Sequence, residues 1–285
     1  MDYELFADVK RTQIAVDSSA KPDADGADGW VIFLPASDKK NARWDDALGH
    51  LAAPLRSEIS AYVQRFEFKP KAAEVLVFDK SAALRVVLAV LPEKAELFAL
   101  LDLARKALGP LHDAKSARVR VDLRAASALA PLAAEAVVCA NVALAFEAKN
   151  YGEPSGDTKK LPALHFVAPK GQGLDTPSLM AAAETVSATN LVRYLSGLAG
   201  NDLTPTSYVR QATALAKKAG LKTEFFSLDK LEKLKAGAFL AVTRASDDRG
   251  AGILKITHRP AKAAKKVALV GKGITFDTGG IQLKQ

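Results

Sequence analysis

The sequence predicts an α/β protein in two parts. Short runs rich in Val, Leu and Ile alternate with longer stretches whose apolar residues recur at helical spacing, and the pattern starts again after Pro205. Strand-like runs cover Trp30 to Leu34, Glu74 to Phe78, Leu84 to Leu91 and Arg118 to Leu123, each bounded by polar or turn residues. The last alternates strictly from Arg118 to Arg124, so one face is expected to meet a core and the other water. Leu97, Leu100, Leu101, Ala104 and Leu108 mark an amphipathic helix over Ala95 to Leu108, which Gly109-Pro110 is expected to stop. A second helix, from about Leu132 to Lys149, is apolar on most faces, as for a helix packed between a sheet and a further layer. A polar loop, Asn150 to Lys160, leads to one more strand, Ala163 to Val167. These elements define an expected N-terminal α/β domain over residues 1–168.

A long helical segment from Thr176 to Leu198 follows, with Pro177 in its first turn and Leu191, Val192, Leu195 and Leu198 as an apolar stripe. It reads as a connecting helix within a linker over residues 169–200. Beyond Pro205 come a helix from Ser207 to Ala219, closed by Gly220, and strand candidates at Thr223 to Leu228, Ala238 to Thr243, Ile253 to Thr257 and Val267 to Val270. Residues 201–285 therefore read as the start of a second α/β domain, with too few helices to cover both faces of a mainly parallel sheet.

Composition narrows the classes. A length of 285 residues suits about two domains, and 49% hydrophobic with 25% charged residues describes a globular chain rather than a disordered one. No run approaches the roughly 20 uncharged apolar residues of a membrane span, and Met1-Asp2-Tyr3-Glu4 is acidic where a signal peptide is basic, so a cytoplasmic location is expected. The single cysteine, Cys139, excludes an internal disulfide and reads as a small core residue. The net charge of +8 raises nucleic acid as a partner, but the basic residues read as scattered, densest at Lys262, Lys265 and Lys266 and without interleaved aromatics, so a solvated surface is favoured. His50, His112, His165 and His258 show no paired metal spacing.

Chemistry is concentrated between Val267 and Lys284, Val-Ala-Leu-Val-Gly-Lys-Gly-Ile-Thr-Phe-Asp-Thr-Gly-Gly-Ile-Gln-Leu-Lys, where an apolar strand runs into a glycine-rich turn carrying lysines and a carboxylate. A dinucleotide-binding turn fails because Phe276 stands where its third glycine is needed. A phosphate-binding P-loop fails because Lys272 is followed by Gly273, and Gly280 by Ile281.

This stretch resembles, almost residue for residue, the first active-site motif of the leucyl aminopeptidase family. Asn201-Asp202-Leu203-Thr204-Pro205 is similar to that family's Asn-x-Leu-Thr-Pro after its linker helix, and Gly237 to Val242 is similar to its next core strand. The resemblance runs from about Glu184 to Lys284 and departs at Ala199 and Gly200, where the family often has prolines, and at Thr243-Arg244-Ala245, where it has a glycine-rich turn.

The resemblance implies a macro-like N-terminal α/β domain, a linker helix, and the beginning of a two-metal peptidase domain that releases N-terminal residues from peptides. It implies Lys272 and Asp277 as ligands of two divalent ions, zinc or manganese, and Lys284 as a catalytic residue. The chemistry is consistent: lysine coordinates only as the neutral amine, which requires desolvation beside a cation. A carboxylate bridges paired ions, and a protonated lysine stabilises an oxyanion. The family's downstream Asn-Thr-Asp-Ala-Glu-Gly-Arg motif is absent from the 285 residues, so the chain is expected to be an incomplete and inactive fragment. The family's hexamer is the expected assembly of the full-length protein, with peptides as substrates; DNA binding or a non-catalytic assembly role is the alternative.

Overall fold

Six consecutive residues from Gly29 to Leu34, GWVIFL, carry no charge and are all buried, which is the pattern of a strand covered on both faces. That strand, β2, sits inside the sheet that organises the first half of a computed structural model. The structure describes residues 12–17, 26–36, 47–49, 51–68, 71–92, 96–152, 161–244, 246–261 and 265–275. It divides into two units, one ending at Tyr194 and the other beginning at Leu195.

In the first unit the strands are β1 (Ile14–Asp17), β2 (Gly29–Leu34), β3 (Val75–Ser81), β4 (Leu84–Val90), β5 (Arg118–Asp122) and β6 (Ala163–Val167). They form one sheet in the order β1-β6-β5-β2-β4-β3, parallel except for the β3–β4 hairpin. Alternate residues divide between two cores. Trp30, Ile32, Leu34, Val86, Leu88 and Val90 meet Leu55 and Ile59 of helix α1 (Ala53–Arg65). Val31, Phe33, Val87, Val119, Val121 and Phe166 meet helices α2 (Leu97–Asp113) and α3 (Ala130–Leu144) on the other face. Helix α4 (Thr176–Ser196) adds Leu179 and Ala183 to that second core. It also holds the end of α3: Asn190 Nδ2 donates to the Val142 carbonyl at 2.9 Å, and Arg193 lies 3.9 Å from the Phe146 ring centroid.

The expected strand at Arg118 to Leu123 forms, but its alternation does not mark a wet face. Arg120 and Asp122 are 1% and 3% exposed. The reason is cover: β5 is paired on both edges by β6 and β2, and the four consecutive buried residues Val119 to Asp122 show that both of its faces are enclosed. The Arg120 guanidinium lies 5.4 Å from the ring of Trp30, its register partner on β2, and Asp122 is paired with Arg124, whose Nε is 3.0 Å from Oδ1.

Helix α2 also corrects the sequence reading, because Gly109-Pro110 does not stop it and Pro110 lies inside the helix. Proline forfeits one hydrogen bond there, while the extra turn carries Leu111 into full burial against Gly29. A Cβ on Gly29 would lie 3.1 Å from a Leu111 methyl, so the glycine is what permits this approach. Helix α3 ends at Leu144 rather than near Lys149. Strand β1 and helix α1 were not legible from periodicity. The window Ser127–Leu144 is long and apolar enough to cross a membrane by length and composition, which corrects the reading that no run approaches a span. Here that window holds nine buried residues packed over the sheet, as the core helix of a globular layer does.

The second unit contains α5 (Pro205–Lys218), β7 (Lys222–Ser227), α6 (Leu228–Lys233), α7 (Gly237–Thr243) and β8 (Gly252–Thr257). Strands β7 and β8 pair with each other and are antiparallel, where a mainly parallel sheet was expected. Two strand expectations fail. Residues Ala238 to Thr243 lie in helix α7, which meets its backbone hydrogen-bonding needs locally, as in Leu240 N–H to Ala236 O at 3.1 Å. Residues Val267 to Val270 form no strand among the described residues, and the unit's two described strands pair with each other.

Substituting Leu111 by Ala is expected to destabilise the first unit by about 2–5 kcal/mol, the cost of emptying a fully buried leucine site. Urea denaturation measures it, and a loss under about 1 kcal/mol would show that the turn beyond Pro110 contributes little packing.

Candidate functional site

The Asn201 to Pro205 element has a structural role, since it starts α5. Pro205 occupies the first turn, where its missing N–H costs nothing. The Thr204 hydroxyl accepts the Ser207 N–H at 3.3 Å while the Ser207 hydroxyl accepts the Thr204 N–H at 2.9 Å, a reciprocal capping box. Leu203 is buried beside it.

Asp248 closes the same helix end from a distant loop. Its carboxylate accepts the Thr206 N–H at 3.0 Å, the Thr206 hydroxyl, and the Gly250 N–H at 2.8 Å. Burial works against the charge, but the hydrogen bonds from the Thr206 hydroxyl and backbone, the Thr204 hydroxyl and the Gly250 backbone outweigh it and hold the carboxyl well below the usual carboxylate range. The positive end of α5 favours the charged form as well. A Cβ at Gly250 would come 2.8 Å from the Thr206 Cα, so only glycine lets this loop lie against the helix. Sequence reading missed Asp248; Asp247-Asp248-Arg249-Gly250 looks like an ordinary turn, and only its proximity to a Thr-Pro helix start gives it a role.

Lys272 lies beyond Val270 in an exposed segment without regular secondary structure. Val267, Leu269 and Val270 are 82%, 95% and 96% exposed, so the buried strand expected to deliver Lys272 is not built by the described residues. The neighbouring Gly273 passes α5 at Tyr208, whose ring carbon would lie 3.4 Å from an added Cβ. Asp277 and Lys284 lie outside the described residues, so the structure places one of the three expected site residues. Among the described residues no three His, Cys, Asp or Glu side chains stand close enough to hold a metal ion. The desolvation that a coordinating lysine needs is not provided around the exposed Lys272, and the described residues by themselves do not fit a divalent ion.

The other polar candidates have structural partners. His112 Nε2 is 2.9 Å from Asn141 Oδ1, and the buried Asn141 donates in turn to the Pro162 carbonyl at 3.0 Å and to Thr12 Oγ1 at 3.3 Å. Burial, then the neighbouring Glu135, push the Cys139 thiol up, away from nucleophile chemistry. His258 is exposed, His165 is half-buried on β6, and His50 lies outside the described residues.

Comparison with known proteins agrees with the motif. A model of the cytosol aminopeptidase family, catalytic domain, matches residues 190–285. Curated relatives include a probable cytosol aminopeptidase of Burkholderia orbicola, 39% identical over 136 residues, and one of Synechocystis sp., 32% identical over 154 residues. Over residues 190–285 this chain is similar to the catalytic domain of the cytosol aminopeptidase family. The matched parts span 48% and 54% of the chain but 27% and 31% of those two relatives, so the chain covers less than a third of their length.

Solved structures share the α/β fold. A mutant tomato leucine aminopeptidase superposes with a TM-score of 0.75 at 20% identity, covering 96% of this chain and 56% of that one. An aminopeptidase from Trypanosoma brucei gives 0.62 at 20% identity, covering 97% and 55%. The bottromycin maturation enzyme BotP, in complex with Mn, gives 0.57 at 19% identity, covering 78% and 43%.

Replacing Thr204 by Ala removes the cap and is expected to cost about 1 kcal/mol. Asp248→Asn should act through pH as well. The folded carboxyl titrates below its ordinary value of 3.8, so its contribution is complete above that value and is lost as pH falls through the lower, folded one. Acid unfolding followed by circular dichroism should therefore lose part of its pH dependence below about pH 4 in the Asn variant; an unchanged acid limb would show that the carboxylate does not stabilise the helix start.

Proposed function

We propose that this chain is part of a metal-dependent aminopeptidase of the leucyl type, which releases N-terminal residues from peptides. The match of residues 190–285 to the family's catalytic domain carries the reading, and the spacing of Lys272, Asp277 and Lys284 supports it. In this reading residues 1–168 form an N-terminal domain, 169–200 a linker helix, and 201–285 the beginning of the catalytic domain.

Lys272 and Asp277 are the proposed ligands of two divalent ions, zinc or manganese; the manganese complex of BotP, a structural relative, is consistent with the latter. Bound metal would polarise the peptide carbonyl and supply an activated water. The chain's own contributions are the neutral amine of Lys272, the bridging carboxylate of Asp277, and the ammonium of Lys284, which donates to the oxyanion as the carbonyl becomes tetrahedral. Two ligands do not close a two-ion site, so turnover needs carboxylates beyond these. A cytoplasmic location follows the relatives' names, and a hexameric assembly of the whole protein follows the family.

Two measurements test this. The pure 285-residue chain, given manganese or zinc, should leave leucyl-p-nitroanilide untouched, and detectable turnover would overturn the ligand count. In a full-length protein containing these residues, Lys284→Ala should lower kcat by about 10²- to 10³-fold with metal content unchanged, as loss of an oxyanion donor does. Equal kcat in the variant would remove Lys284 from the chemistry.

A further inference from the structure

One buried amide in the first unit joins two helices to the lead-ins of two strands. Asn141, on α3, is 0% exposed. Its Nδ2 donates to the Pro162 carbonyl, just before β6, at 3.0 Å and to Thr12 Oγ1, just before β1, at 3.3 Å. The Pro162 carbonyl can only accept, so the amide is held with its nitrogen toward the strands and its Oδ1 toward His112, in the last turn of α2. His112 Nε2, 2.9 Å from that oxygen, is therefore a protonated nitrogen of the ring.

Of the pieces joined there, β1 has the least else to hold it. Among the described residues β6 is its one neighbour. It is four residues long, and its Ile14 and Val16 are only partly buried against the core, whereas all six residues of β2 are buried. Its ladder runs from Gln13 O, which accepts the Leu164 N–H at 2.8 Å, to Asp17 O, which accepts the Ala168 N–H at 3.1 Å. With two half-buried apolar residues to mark its inner face, β1 has a weakly specified register of its own. A slip by one residue would carry Thr12 away from the Asn141 amide and turn Ile14 and Val16 off the core face. Helices α2 and α3 and strand β6, by contrast, stay joined through Leu111, Val138 and Phe166 without the amide.

We propose that Asn141 is a latch for β1: the strand opens and recloses on the sheet as a unit of its own, and the buried Thr12–Asn141 bond sets both how seldom it opens and the register in which it returns. Opening exchanges the Thr12 bond for one to water, while Asn141 keeps Pro162 and His112, so the remaining strands stay folded. The β6 edge, whose N–H groups could pair with another chain, is thereby uncovered only in the open state. All the residues involved precede residue 169, and the device is independent of the peptidase reading.

Native-state hydrogen exchange on the whole 285-residue chain tests the latch. The Leu164 and Ala168 amides, which donate to β1, report its opening, and the amides of β2 report the rest of the sheet. In the unaltered chain the two reporters should exchange through an opening that leaves β2 protected. Thr12→Val keeps the side-chain shape and removes the acceptor, so it should speed exchange at Leu164 and Ala168 by about tenfold while β2 is unchanged. Thr12→Ser, which keeps the hydroxyl, should exchange as the unaltered chain does. Asn141→Leu should open β1 at least as far as Thr12→Val; should that variant not fold, Thr12→Val and Thr12→Ser decide alone. Equal acceleration in β2, no acceleration at Leu164 and Ala168 in Thr12→Val, or exchange of the reporters only together with β2 in the unaltered chain overturns the proposal. Lys272, Asp277 and Lys284 are left intact throughout, so a negative result here does not touch the peptidase reading, and absent turnover does not touch this one.

Discussion

The enclosure of β5 is the constraint on which the first unit depends. A strand with neighbours on both sides in a sheet covered on both faces cannot leave a charge unpaired, and β5 carries Arg120 and Asp122. The register with β2 puts Trp30 beside Arg120, and the turn after β5 returns Arg124 to Asp122. These two arrangements fix the residue-by-residue alignment at the centre of the sheet. A slip by one position would send Arg120 and Asp122 into the core occupied by α2 and α3. The helices follow from the same demand for cover, and it is strong enough to carry α2 through Pro110 so that Leu111 reaches the sheet.

The second unit is organised differently. Among the described residues its buried side chains are few, Leu203, Gln211, Ala216, Leu228 and Leu231, and their order rests on local hydrogen bonds at helix ends more than on a shared core. The Thr204–Ser207 box and the Asp248 strap converge on the first turn of α5, which joins two loops far apart in sequence. The Ser227 hydroxyl caps α6 in the same manner. Even the exposed Glu224, held below its ordinary range by Lys230 and then Lys255, links β7, α6 and β8 at the surface.

This difference explains which parts could be read from sequence. Strands β2, β4, β5 and β6 and helices α2 and α4 show themselves because burial writes a periodic apolar pattern, and the first unit is where burial dominates. The fate of Arg120 and Asp122 was not legible, since alternation alone cannot tell a wet face from a charged row enclosed by neighbouring strands. Nor was α7: Gly237 to Thr243 has the composition of a core strand but forms a helix. The site motif was legible as a pattern of residue types, Lys272 to Lys284, because chemistry constrains identity there. Its geometry was not, because geometry depends on what covers the segment.

Lys272 and the apolar run share one stretch of backbone, and this links their chemistry. As described, the run is open to water and Lys272 with it, so the amine has no dry setting in which to act as a ligand.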